Sequence, residues 1–420
     1  MMSSSADQTR SILLFGATGY VGGATLHVLL ALAKHSDKRP HIVAPVSSRI
    51  GADKVANWAR DFVPDLDVQI VADQGADLPK IRPYSLDIVV IPRSPAQSWY
   101  EAAERLAAHT DCAVQLATSD DLELTKAIDR GLAQAKEHNG RRGTIVHASG
   151  VQLIESAPVG KEVETPTYDD TDLAQLKSIS DDAAHRLIDL AIIDDIASAK
   201  IGGGAIVCPA LIYGISDGPV RRISQQIPGM VEKALLPLNR QAVYCGEGTN
   251  VWNAVHIDEL SDLINKLIER WAYDGLPSSP PEAHSTFYFA GTKELFRFKD
   301  VAAAIGEVLA KEKVGKFTDN RDFLVSTSEP KSVPVPKYDG SQKGVRVEDG
   351  DRAANADEDE QRAPSWPCRT NSRCISKRAE QEFGWVAERV LDHDSLVLEI
   401  QAYLRFWRND GTLLDKTQAA

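Results

Sequence analysis

The sequence predicts an α/β fold: a doubly wound parallel sheet with a smaller C-terminal substrate-side region. Three observations predict it. An apolar strand, Ser11 to Phe15, runs into Gly16, Gly19 and Gly22, and a helix begins at once. Apolar strands and helical stretches then alternate as far as Gly150, the pattern of βαβ units. The 420 residues are 43% hydrophobic and 25% charged, enough for a large core and a smaller companion.

The glycine stretch carries the first chemistry. Gly16 permits a sharp turn off the strand, Gly19 a close approach of backbone to a pyrophosphate, and Gly22 close packing of the helix. N–H groups at the helix start then face the phosphates. The expected cofactor residues here are Gly16, Thr18, Gly19, Tyr20, Val21 and Gly22. The spelling Gly16-Ala17-Thr18-Gly19-Tyr20-Val21-Gly22 resembles the "GATGxxG" of the extended or atypical short-chain dehydrogenase/reductase superfamily. That resemblance implies a Rossmann domain, a nicotinamide dinucleotide and oxidoreductase or epimerase-like chemistry.

His41 to Val46 reads as the second strand and ends in Ser47-Ser48-Arg49. NAD-binding folds place an acid near this point, on the ribose hydroxyl. Small hydroxyls followed by Arg49 suit a 2′-phosphate instead, so NADP(H) is expected ahead of NAD(H). Asp67–Ala72, Leu86–Ile91 and Cys112–Ala117 all read as strands where this fold needs two, so one of the first two is extra or a loop. Asp73 follows the first, as the acid near the adenine often does. Cys112–Ala117 is the strand beside the cofactor, and Ala117 and Thr118 join the cofactor residues. Leu122 to His138 reads as a helix ended by Asn139-Gly140, and Thr144 to Gly150 as the next buried strand.

Ligands of such sheets bind outside the carboxyl ends of the strands, where Ser149 falls. "HASG" here resembles the "HTSG" of some atypical members, whose serine holds the substrate oxygen. Ser180-Asp181-Asp182 is expected to cap a helix running to about Ser198. In most of the superfamily this helix carries Tyr-x-x-x-Lys. Here it carries His185-Arg186-Leu187-Ile188-Asp189, so the usual acid/base pair is missing. His185 and Asp189 share a helical face at i, i+4, and a carboxylate beside an imidazole favours its protonated form. A His185 acid steadied by Asp189 is the expected replacement.

Ala205 to Gly214 resembles the "RPxxVYGP" stretch of extended members, with Cys208 in place of the arginine and Pro209 at the nicotinamide. Trp252 to Leu260 resembles "VHVDDLA", where the chain returns to the main sheet. Phe287–Ala290 reads as a strand and Phe298–Lys311 as a helix of the substrate side. Ala379 to Trp385 resembles the "S-R-A-x-x-x-L-G-W" near the family's end, and Ser395 to Trp407 reads as a final helix.

The expected organisation is a flexible stretch over 1–10 and a Rossmann domain over 11–260. The substrate side takes 261–325 and 368–420. A disordered acidic insert spans 326–367, where proline, glycine and acids dominate. The net charge of −13 argues against nucleic acid. No apolar run is long enough to span a membrane. The cysteines at 112, 208, 245, 368 and 374 form no C-x-x-C pair, so no zinc is expected and a reduced cytoplasmic protein is. The expected partner is a small molecule, with a homodimer left open. Two functions stand. One is an NADP(H)-dependent oxidoreductase on a small carbonyl, an alcohol or a nucleotide sugar. The other is a non-catalytic NADP(H)-binding regulator, which the missing tyrosine and lysine also fit.

Overall fold

The computed structural model describes residues 9–35, 39–73, 80–236, 239–274, 276–279, 281–312, 329–336 and 362–410. The first half alternates strand and helix: β1 (Ser11–Phe15), α1 (Tyr20–Lys34), β2 (His41–Val46), α2 (Arg49–Phe62), β3 (Asp67–Ala72), β4 (Ser85–Val90), α3 (Ala96–Ala107), β5 (Cys112–Gln115), α4 (Leu122–Asn139) and β6 (Thr144–Ala148). Next come β7 (Tyr168–Asp169), α5 (Leu173–Lys177), α6 (Arg186–Ala197), β8 (Gly204–Pro209), β9 (Leu211–Tyr213), α7 (Gln226–Leu235), β10 (Val243–Cys245) and β11 (Val251–His256). The chain ends with α8 (Ile257–Tyr273), β12 (Phe287–Ala290), β13 (Leu295–Arg297), α9 (Phe298–Lys311), β14 (Lys331–Val333), β15 (Cys374–Ile375), α10 (Lys377–Phe383) and α11 (His393–Asp410).

Eight strands make the main sheet in the order β12-β8-β6-β5-β1-β2-β4-β3, all parallel. Apolar residues of both strand faces are buried, as parallel sheets require. One face packs on α1, α2 and α8, the other on α3, α4 and α6. Strand order reverses between β1 and β5, which makes the crevice at their carboxyl ends the switch point. The caps follow from sequence. The Ser48 hydroxyl accepts from Gly51 N at 3.1 Å, and Asp121 from Leu124 N at 2.9 Å. Gly140, at φ +74, ends α4.

Several expectations are corrected. All three candidate strands exist: β4 lies beside β2, and β3 adds an outer edge whose side chains are all exposed or half-buried. The domain boundary at 260 fails, because α8 packs on the main sheet and Phe287–Ala290 pairs with β8 inside it. Both faces of β12 are apolar and all four residues are buried, so it is a sheet strand and not part of a separate lobe. Within Trp252–Leu260 the strand does not join the main sheet, since β11 lies between β9 and β13; the return is made by α8, which begins at Ile257 and packs on that sheet. Asp170 ties the C-terminal region on, accepting from Phe289 N, Lys377 N and Arg378 N at 2.9, 3.0 and 2.8 Å.

The acidic insert is narrower than 326–367. Lys331–Val333 pairs with β10, and Val333, Ala363 and Cys368 are buried, because their apolar side chains have a core to enter. Residues 326–328 and 337–361 of that stretch, and 1–8 of the N-terminal one, lie outside the described residues. Among the described residues no helix is long and apolar enough to cross a membrane, and all five cysteines are buried and free.

Candidate functional site

The glycine loop sits at the switch point. Gly16 has φ +95, and a Cβ there would lie 2.8 Å from the Leu116 carbonyl and 2.9 Å from Ala117 N. The turn is closed by Gly19 N donating to Gly16 O at 2.7 Å. A Cβ on Gly22 would fall 2.2 Å from that same oxygen, so Gly22 serves the packing of α1 on the turn and not on the sheet itself. No side chain caps α1 and no acid stands in its first turn. Its positive end therefore stays available to an anion.

The other expected cofactor residues divide. A Cβ added at Gly51 would meet Thr18 Cγ2 at 3.3 Å, which brings the loop against the start of α2. Ala117 N donates to Gln115 Oε1 at 3.1 Å, and the Thr118 hydroxyl accepts from Asp120 N at 3.1 Å. Val21 is half-buried against the core. The Tyr20 side chain turns away into the core, its hydroxyl donating to Gly214 O at 2.6 Å; only its backbone faces the loop. Arg49 opens α2 and pairs with Asp53 at 3.0 Å, its side chain 67% exposed. Asp73 pairs with Arg105. Pro209 ends β8, paired with Ala290.

Ser149, directly after β6, faces α6. Its hydroxyl donates to Asp189 Oδ2 at 3.0 Å. Asp189 is fully buried, and its Oδ1 has no partner. Burial pushes its carboxyl up to about 7, against the opposing pull of His185 and the Ser149 bond. The sense of the Ser149 bond therefore follows that proton. A carboxylate takes the serine hydrogen, whereas a protonated Asp189 donates and frees it.

His185 is not inside a helix. It is the residue before α6, at φ +66, so the predicted start at Ser180 moves to Arg186. Its ring does not pair with Asp189 either. Nδ1 donates to Asp120 Oδ1 at 2.6 Å, with the two side chains 12% and 19% exposed. Burial alone lowers an imidazole; here the Asp120 bond and charge, then Asp189 and Glu155, outweigh it and raise His185 above its ordinary value. A Cβ on Gly150 would lie 3.5 Å from His185 Nε2, which sets that nitrogen beside the residue that follows Ser149.

Three more groups ring the cluster. Glu155 accepts from Trp366 Nε1 at 2.9 Å and the Thr370 hydroxyl at 3.1 Å, and burial pushes it up to about 7. His147 on β6 is fully buried with neither ring nitrogen partnered, and burial, then His185, lowers it to about 3. Cys208 is buried within reach of the Asp189 charge. Sequence reasoning missed Asp120, Glu155 and His147. The available signal for Asp120 was an acid just past β5 at the ligand edge. Beside Asp121, which caps α4, it reads as one more cap. A cleft of about 320 Å³ lined by Arg141, Arg142, Gly202 and Pro277 opens at the opposite, amino ends of β6 and β8.

No family model matches the chain. The oxidase ucsJ of Acremonium sp is similar at 25% identity over 266 residues, 62% of this chain; the chain spans 66% of that relative's own length. DesIV, a dTDP-glucose 4,6-dehydratase from Streptomyces venezuelae solved with NAD and TYD, superposes with a TM-score of 0.54 at 14% identity, over 95% of this chain and 98% of its own. UDP-glucuronic acid 4-epimerase from Bacillus cereus, solved with UDP-glucuronic acid and NAD, does so with a TM-score of 0.51 at 12% identity, over 94% and 99%. The chain thus shares the fold of these dehydratase and epimerase structures.

Proposed function

We propose that this chain is an NADP(H)-dependent oxidoreductase that interconverts a carbonyl and an alcohol on a small molecule. One observation carries the reading. The glycine loop with the uncapped start of α1, and the pair Ser149 and His185, open on the same carboxyl edge of the sheet. The loop suits a diphosphate: Gly16 at φ +95 permits the sharp turn against Leu116 and Ala117, and no acid competes at the helix start. When bound, the dinucleotide supplies hydride transfer at the nicotinamide ring. Ser149 is the group to hold the substrate oxygen, and His185 Nε2 the group to move its proton.

NADP(H) is preferred here on Arg49 and the missing acid after β2. The Arg49–Asp53 pair is an exposed i, i+4 contact, weak enough to give way to a phosphate. Fluorescence titration with NADPH and NADH tests this; equal affinity, or tighter NADH binding, overturns the choice. A second reading is a non-catalytic NADP(H)-binding regulator. The buried acid Asp189 favours it, standing where relatives of the resembled type carry lysine. A panel of aldehydes, ketones and nucleotide sugars separates the two: tight NADPH binding with no turnover selects the regulator.

A further inference from the structure

We propose that Asp120 positions His185 as the proton donor of this site, holding the imidazole by Nδ1 so that Nε2 meets the substrate oxygen beside Ser149. This sets the site for reduction. The proposal rests on the oxidoreductase reading and assigns its acid and its favoured direction.

The geometry is specific. Asp120 stands on the loop after β5, next to Thr118, and its carboxylate accepts from His185 Nδ1 at 2.6 Å. The imidazole is presented from a backbone at φ +66, a left-handed conformation disfavoured for a residue with a Cβ. Such strain persists where the surroundings hold it, and it clusters at functional sites. Here it lifts His185 off the helix and delivers Nδ1 to Asp120. The other nitrogen then faces Gly150, the residue after Ser149. One carboxylate thus fixes the ring, the tautomer and the direction of the free nitrogen at once.

The groups facing His185 agree in sign. Asp120 comes from the loop after β5, Asp189 from the next turn of α6, and Glu155 from the turn after β6; all three favour the imidazolium. On the cationic side, His147 beneath them on β6 is kept neutral by burial, and the buried Arg186 guanidinium, next in sequence to His185, faces Asp189. These acids favour a proton on Nε2 in the resting site. In reduction the carbonyl carbon takes the hydride of the bound reduced dinucleotide, and its oxygen takes the Nε2 proton. The products are the alcohol, the oxidised dinucleotide and neutral His185 protonated at Nδ1, still held by Asp120. Solvent reloads Nε2 through the exposed edge of the ring. Alcohol oxidation must begin from the deprotonated ring, so it gains as pH rises while reduction falls.

Histidine-selective ¹⁵N NMR on the full chain, free of substrate, tests the pair. Neutral His185 is expected as the Nδ1–H tautomer, the reverse of free histidine. Asp120→Asn is expected to move its titration midpoint down and to cut kcat for reduction by about 10²-fold, the lower end of what a positioned acid contributes. NADPH affinity stays unchanged. Asp120→Glu is expected to restore part of the pH profile. An Nε2–H tautomer in the wild-type chain overturns the proposal even if the Asp120 variants fail to fold. So does a His185 midpoint unmoved in Asp120→Asn. An Nδ1–H tautomer with NADPH bound, but no carbonyl reduced, means the pair is real and the donor role is not; the oxidoreductase reading then fails separately, at turnover.

Discussion

The two halves of the cleft are made of different material. The cofactor half is backbone. Gly16 and Gly22 work because they have no side chain: a Cβ would strike main-chain atoms at 2.8 and 2.2 Å. Its glycine loop lies within seven consecutive residues, Gly16 to Gly22. The proton half is side chain. Ser149 meets Asp189 across 40 residues of sequence, and His185 meets Asp120 across 65. Backbone sites tolerate little change because their tolerance is steric. Side-chain sites can exchange one acid for another while the scaffold stays, and in the proposed reading an imidazole among carboxylates takes the place of the tyrosine and lysine of the resembled family.

The largest expected effect breaks one half and spares the other. His185→Phe should lower turnover by about 10²–10⁴-fold, the contribution of a positioned general acid, with NADPH titration unchanged. Unaltered turnover in that variant would make His185 a turn residue only. The reciprocal change is Gly22→Ala. Its Cβ meets a carbonyl oxygen that cannot swing aside, so the variant should lose about 1–3 kcal/mol of stability to overpacking and weaken NADPH binding. Denaturant unfolding and cofactor titration check it. Wild-type values for both would show that the turn relaxes and that the loop is not a rigid cradle.

This difference in material decided what was legible. The glycine loop, β1, β2, β5, β6 and the caps at Ser48 and Asp121 follow from local spacing, and the edge holding Ser149 follows from strand alternation. Local pattern could not rank β3 against β4, because both are short apolar runs and their order is set by long-range pairing. It also could not see φ +66 at His185, since Ser180-Asp181-Asp182 spells a good helix cap. Phe287–Ala290 reads as a strand, but nothing in four apolar residues says which sheet receives it. Asp120 was hidden for the same reason: its partner His185 comes from 65 residues further along the chain.

Cofactor choice gives a smaller effect and sharpens the backbone half. Arg49 is its expected charged contributor, and it is mostly exposed. Arg49→Ala should weaken NADPH by about 10-fold, a modest share of a charge-assisted phosphate contact, and leave NADH nearly unchanged. Equal losses for both nucleotides would mean that Arg49 supports α2 and not the 2′-phosphate.

The smallest expected effect is at Asp189, and it sharpens the proton half. At about 7, this buried carboxyl is near half protonated at neutral pH. As a carboxylate it takes the Ser149 hydrogen, leaving the serine only lone pairs for a carbonyl oxygen. Protonated, it donates to Ser149 and releases that hydrogen toward the substrate. Reduction by the wild-type chain should therefore fall with rising pH for two reasons: His185 loses Nε2–H, and Ser149 turns toward Asp189. Because Asp189 and His185 feel each other's charge, the two losses appear as one coupled pair of steps. Asp189→Asn breaks the coupling. The amide is isosteric and donates to Ser149 at every pH, so kcat for reduction at pH 7 should stay within about 5-fold of wild type, well short of a lost general acid. The falling limb should sharpen to the single step of His185. A pH–rate profile of the variant reads this directly. A loss beyond about 10²-fold would show that the negative charge of Asp189, and not its hydrogen bond to Ser149, is what the site uses.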